Sequence, residues 1–220
     1  MKNKRAVLNQ RAGLLLMVTC CLTVCQAGLQ AADWPTYRAD AQRSGFTTDG
    51  LAEELALQWR LRNTHAIQSA WPRSTRLTYD RVNHCVIAND RDFSGDSVTG
   101  KIQAVDLQTG KPVWEYFTEG PVRFAPTVWQ DQLLVTSDDG FLYALSVDDG
   151  SLLWKHRGGP RAEMVVGNER VISKWPARGA AVIVDDTVYY AAGIWPSDGI
   201  FLHALNAKTG KPVWSNTDSG

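Results

Sequence analysis

A chain of 220 residues with 23 basic and 23 acidic side chains carries no formal net charge, and at 44% hydrophobic it has the apolar content of a folded core. Four of the bases, Lys2, Lys4, Arg5 and Arg11, precede the first acid, Asp33, so the remainder holds nineteen bases against twenty-three acids, a net of −4. A mildly acidic remainder without a Lys/Arg run excludes nucleic acid as its expected partner.

Residues 1–32 read as a signal peptide: a basic start, an apolar stretch over 12–24, and small residues at Ala27 and at Ala31-Ala32, which place cleavage near 27 or 32. That stretch is shorter than the about 20 residues of a membrane span. No stable transmembrane segment is therefore expected after cleavage, and the remainder is expected to be exported, periplasmic or extracellular. Cys20, Cys21 and Cys25 lie in the leader, which leaves Cys85 without an intrachain partner. It is expected as a small buried residue in a strand.

Residues 33–56 are polar and turn-rich and are expected to form an extended lead-in. Residues 57–61, Leu-Gln-Trp-Arg-Leu, look like the last strand of an incomplete unit. Short apolar runs bounded by Asp/Gly turns follow, the signal of antiparallel hairpins. The first unit is expected to place strands at 74–79, 85–88, 102–107 and 113–117. The second places them at 124–129, 133–136, 141–145 and 152–154. After an insertion at 158–175, the third places them at 180–184, 188–191, 201–205 and 213–214.

One segment occurs three times along this pattern. Residues 104–114 read Ala-Val-Asp-Leu-Gln-Thr-Gly-Lys-Pro-Val-Trp, 144–154 read Ala-Leu-Ser-Val-Asp-Asp-Gly-Ser-Leu-Leu-Trp, and 204–214 read Ala-Leu-Asn-Ala-Lys-Thr-Gly-Lys-Pro-Val-Trp. The opening Ala permits close approach of neighbouring units. Asp106 or Asn206 can accept from turn amides. Gly110, Gly150 and Gly210 supply positive φ for a tight turn. Trp59, Trp114, Trp154 and Trp214 offer flat faces to the next unit. Four antiparallel strands in about 40 residues is the size of one β-propeller blade. The expected fold is all-β: a partial propeller of about three to four four-stranded blades over residues 57–220, incomplete at its C-terminal side.

The pattern Ala-x-Asp-x-x-Thr-Gly-Lys-x-x-Trp at 104–114 resembles the tryptophan-docking repeat of the PQQ-like (pyrroloquinoline quinone) propeller proteins. That group contains quinoprotein dehydrogenases and quinone-free scaffolds such as BamB. Ser146, Asp149 and Ser151 depart from the pattern in the second copy, and Asn206 in the third. The resemblance implies a ring of seven or eight blades, so missing blades or self-association through open sheet edges are expected. It is specific for fold and weak for chemistry, because the repeat is a packing motif.

The expected function is an exported, non-catalytic scaffold that binds a protein or a small anionic or glycan ligand, with no cofactor. The alternative is a PQQ-dependent dehydrogenase or an N-terminal fragment of one, with PQQ and Ca²⁺ as cofactors; the family's catalytic aspartate matches no position here. Two groups of residues are candidates for ligands. Asp90, Asp92, Ser94 and Asp96 resemble the start of a calcium loop, although Lys101 stands where an EF-hand has Glu. An Arg precedes the first strand of successive units: Arg73 or Arg76, then Arg123, then Arg178. With Trp175 (and Trp71) nearby they suit a flat or anionic ligand at a central channel; otherwise they shape the incoming turn. His65, His84, His156 and His203 have no metal-ligand spacing, and a packing role is expected for His203.

Overall fold

The computed structural model describes residues 32–51, 53–62, 65–69, 84–167 and 169–219; all but Ala32 belong to one unit, Asp33–Gly220. Three four-stranded antiparallel sheets follow one another, each with its strands in chain order. Sheet 1 comprises β1 (Cys85–Ala88), β2 (Arg91–Gly95), β3 (Lys101–Asp106) and β4 (Pro112–Phe117). Sheet 2 comprises β5 (Thr127–Trp129), β6 (Gln132–Thr136), β7 (Phe141–Ser146) and β8 (Leu152–Arg157). A two-stranded ribbon, β9 (Met164–Gly167) and β10 (Arg170–Ser173), occupies the expected insertion. Sheet 3 comprises β11 (Val182–Val184), β12 (Thr187–Ala192), β13 (Ile200–Asn206) and β14 (Pro212–Ser219).

Sheets 2 and 3 follow the expected strand pattern, and sheet 1 corrects it. The expected first strand at 74–79 lies outside the described residues. Cys85–Ala88, expected as the second strand, is the first, and the segment read as a loop is β2. A two-residue hairpin makes this possible: Asn89 and Asp90 both take positive φ, 53° and 56°, as a tight turn between twisted strands requires. Cys85 opens β1 and is exposed, not buried as expected.

The repeated segment builds the same corner three times. Asp106 Oδ1 accepts from the Thr109 amide at 2.7 Å and its hydroxyl at 2.6 Å. Asn206 does the same for Thr209 at 3.0 and 2.9 Å. Ser146 is too short to do this well, with bonds of 3.3 and 3.4 Å to the Asp148 and Asp149 amides, and Asp149 supplements it by accepting from the Ser151 amide at 3.0 Å. Gly110, Gly150 and Gly210 follow with φ of 68°, 73° and 67°. A register shift after Ala104, Ala144 and Ala204 bends each third strand at a fully buried residue.

Period-two alternation then gives each sheet a forward face, toward the sheet that follows in sequence, and a rear face. Phe93, Ile102, Ala104 and Trp114 of sheet 1 pack on Leu133, Val135, Tyr143 and Leu145 of sheet 2. Leu134, Leu142, Ala144 and Trp154 of sheet 2 pack on Val188, Tyr190, Leu205 and Ala207 of sheet 3. The indoles lock these seams. A Cβ placed on Gly150 would stand 2.5 Å from the Trp114 ring, one on Gly210 2.5 Å from Trp154, and one on Gly110 2.7 Å from Trp59. Trp114 donates to the Val147 carbonyl at 2.9 Å and Trp59 to the Leu107 carbonyl at 2.7 Å. Trp154 instead donates to the Gln132 side chain at 3.0 Å.

The lead-in turns over 36–42, is otherwise irregular, and runs along the first strands of the sheets. Trp34 exchanges backbone bonds with Ile87, and the Val128 amide donates to Pro35. Thr36 bonds Thr127 at 3.0 Å, and Arg43 donates to the Ala180 carbonyl at 2.8 Å.

Candidate functional site

Two of the expected ligand-binding arginines meet, and they meet on a carboxylate. Arg123 lies between β4 and β5 and Arg178 between β10 and β11, each on the segment that leads into a sheet; Asp138 sits in the β6–β7 turn. Arg123 Nε donates to Asp138 Oδ2 at 2.6 Å. Arg178 donates from Nε to Oδ1 at 2.8 Å and from Nη2 to Oδ2 at 2.9 Å. Arg123 Nη1 also donates to the Gln68 carbonyl at 2.6 Å. The Asp138 side chain is 1% exposed and the Arg123 side chain 4%. Backbone bonds clamp the turn from both sides: the Asp138 amide donates to Pro121, and the Ser173 amide donates to the Asp138 carbonyl.

Such a triad carries one net positive charge, and Asp138 accepts three of its guanidinium hydrogen bonds. A planar tricarboxylate brought to these arginines would meet a carboxylate already between them. Through Asp138 the two arginines tie the segments ahead of sheets 2 and 3 to one turn. In the sequence Asp138 belongs to an Asp-Asp-Gly turn and carries no motif of its own. The signal for it was indirect, since two arginines repeating at one structural position need a counterion when buried.

Trp175 does not join them. It is buried, donates to the Asp198 carbonyl at 2.6 Å and packs edge-on against Phe201 at 6.1 Å. Gly159 lies against its ring, with Arg161 and Lys174 over it at 5.5 Å each. Arg73, Arg76 and Trp71 lie outside the described residues.

The calcium-like segment is strand and turn. Asp90 and Asp96 stand at opposite ends of β2, about 20 Å apart at the rise of an extended chain, so they do not ligate one ion together. Asp96 Oδ1 accepts from the Val98 amide at 2.6 Å and the Thr99 amide at 3.2 Å, capping the β2–β3 turn. Ser94 accepts from Gln103 at 3.3 Å. Asp92 points to the rear face and is buried; among the described residues its Oδ1 has no hydrogen-bond partner. Burial raises its pKa above the ordinary carboxylate range, a hydrogen bond with Cys85 partly opposing this. No group of three or more His, Cys, Asp or Glu side chains among the described residues is arranged to hold a metal ion.

A cleft of about 330 Å³ opens between the lead-in and the first strands of sheets 2 and 3, lined by Thr36, Asp40, Arg43, Trp129, Asp185 and Asp186 among others. Three carboxylates face one guanidinium there, so its charge disfavours an anion.

Sequential four-stranded sheets stacked through indoles packed on turn glycines define a β-propeller of PQQ-like repeats. Residues 56–220, three quarters of the chain, match the family described as outer membrane protein assembly factor BamB, and the chain belongs to that family. A polyvinylalcohol dehydrogenase from a Pseudomonas species is 28% identical over 116 residues, 53% of this chain and 16% of that protein. Quinohemoprotein alcohol dehydrogenase from Comamonas testosteroni superposes with a TM-score of 0.60 at 18% identity, over 84% of this chain and 27% of that one. A europium-containing methanol dehydrogenase gives a TM-score of 0.57 at 15% identity, over 87% of this chain and 33% of that one. At these identities the structural likeness defines the fold alone. The chain spans between a sixth and a third of the lengths of these relatives.

Proposed function

We propose that the chain is an exported, non-catalytic propeller module that serves as an interaction scaffold. The observation that carries this reading is the forward face of sheet 3. By strand register, Tyr189, Leu202, Ala204 and Trp214 occupy the positions of Phe93, Ile102, Ala104 and Trp114 in sheet 1 and of Leu134, Leu142, Ala144 and Trp154 in sheet 2. In sheets 1 and 2 these faces are covered; in sheet 3, Tyr189 is 38%, Leu202 40% and Trp214 47% exposed. A contiguous apolar face shaped like two others that are buried suits a further sheet of the same kind, from this protein or from a partner. The partner that fits it is another sheet of the same kind, with an aliphatic rear face and a left-handed glycine beneath Trp214. The leader at 1–32 supports export, and N-terminal sequencing of the secreted or periplasmic protein checks it.

The dehydrogenase alternative is favoured by the polyvinylalcohol dehydrogenase relative. One preparation separates the readings. Sedimentation velocity of the processed protein across 5–200 µM is expected to show association that Leu202→Asp abolishes. Adding PQQ and Ca²⁺ with an alcohol and a dye acceptor is expected to give no dye reduction above a protein-free control. A strict monomer would remove the interaction face, and PQQ-dependent dye reduction would establish the alternative.

A further inference from the structure

The seam between sheets 2 and 3 contains a titratable cluster that the scaffold reading does not use. His156, on the forward face of β8, places Nδ1 2.6 Å from the Tyr190 hydroxyl of β12. His203 of β13 is buried, with Nε2 2.8 Å from the Gly158 carbonyl and Nδ1 2.9 Å from the Ser215 hydroxyl of β14. A carbonyl only accepts, so Nε2 carries the proton, and neutral Nδ1 accepts from Ser215. The two imidazoles stand 5.0 Å apart, edge to face, and Tyr190 stacks on His203 at 5.1 Å.

The seam between sheets 1 and 2 provides an internal comparison. There the register-equivalent positions hold Tyr116 and Tyr143, 6.0 Å apart. Tyr143 donates to Asp139 at 2.6 Å, and burial raises the pKa of that acid. Acid therefore adds no cation to the first seam.

We infer that the His156–His203 pair is a pH-sensitive clasp that loosens sheet 3 from sheet 2 on acidification. Protonation would place two cations 5 Å apart between packed sheets. Around them stand the Tyr190 and Ser215 hydroxyls and the Gly158 carbonyl, none of them anionic. Lys155 and Arg157, which flank His156 in β8, lie on the opposite face over Phe141 and add no negative charge. Burial, with His203 second, lowers the His156 pKa to about 4, and burial lowers that of His203 against the opposing Gly158 bond. Both depressions have one sign. The closed seam is favoured above the free imidazole value of 6.5 and loses that advantage as pH falls from 6.5 toward 4.

Amide hydrogen exchange of the full processed chain at pH 7.2 and 5.2, corrected for intrinsic rates, tests this. Opening of β12 and β13 is expected to rise about tenfold on acidification relative to β3, the ceiling set by His156 being reduced for its partial exposure. His156→Gln should remove most of that rise. His203→Tyr, which copies Tyr143, should remove the rest; if it does not fold, His156→Gln alone decides. An undiminished rise in His156→Gln, or equal rises in both seams, would overturn the inference.

Discussion

Gly150→Ala tests the indole-on-glycine contact most directly. The added methyl carbon would lie 2.5 Å from Trp114 Cε3 and 2.7 Å from Cδ2, at a φ of 73°. The backbone conformation alone costs an alanine about 1–2 kcal/mol. Displacing a packed ring adds about 1–3 kcal/mol of overpacking, and weakening the Trp114–Val147 bond adds about 1 kcal/mol. The total is about 3–6 kcal/mol, or roughly 6–24 °C in Tm for a domain of this size. Gly179→Ala supplies the control: its φ is 99°, yet a Cβ there meets nothing within 4 Å, so it bears only the backbone cost. Thermal unfolding of both variants, and of Gly150→Ala combined with Trp114→Ala, separates the two contributions. Equal losses for Gly150→Ala and Gly179→Ala would refute the view that the indole seals the seam.

Asp138→Ala leaves Arg123 and Arg178 buried without their counterion and is expected to lower stability by about 3–5 kcal/mol in urea unfolding. Asp92→Leu replaces an underpartnered buried acid with the residue that sheet 2 carries at the same register position, Leu133. It is expected to stabilise by about 1–2 kcal/mol at pH 7. Because the folded pKa of Asp92 is raised, wild type is expected to close part of that gap as pH falls through the folded pKa, where protonation relieves the buried charge. Trp214→Ala, at an open face, is expected to shift Tm by much less than Trp114→Ala in parallel calorimetry, by less than about a third.

The repeated corner was legible because its chemistry is local. An Asx cap, a glycine at positive φ and a terminal Trp lie within eleven residues, and each answers a separate backbone need. Sheet 1 was harder, since Asp92, the second residue of β2, interrupts the apolar alternation and a strand then reads as a metal loop. The positional equivalence of Arg123 and Arg178 was legible from spacing. Their meeting at Asp138 was not, because it spans 15 residues in one direction and 40 in the other. Trp175 was grouped with Arg178 by proximity along the chain, but the ribbon β9–β10 carries the chain so that Trp175 packs against Phe201. His203 was read as a packing residue replacing Tyr143. That its ring stands 5.0 Å from His156 depends on sheet stacking rather than on any motif.

Stacked repeats ordinarily melt piecemeal, since each touches only its neighbours. The polar stretch ahead of the sheets works against this. Through Trp34, Pro35, Thr36 and Arg43 it is bonded to Ile87, Val128, Thr127 and Ala180, which belong to the first strands of two sheets and to the approach of the third. A thread stitched to every layer makes fraying of one layer a loss for all, so loss of this stretch should turn a single melting transition into a staggered one.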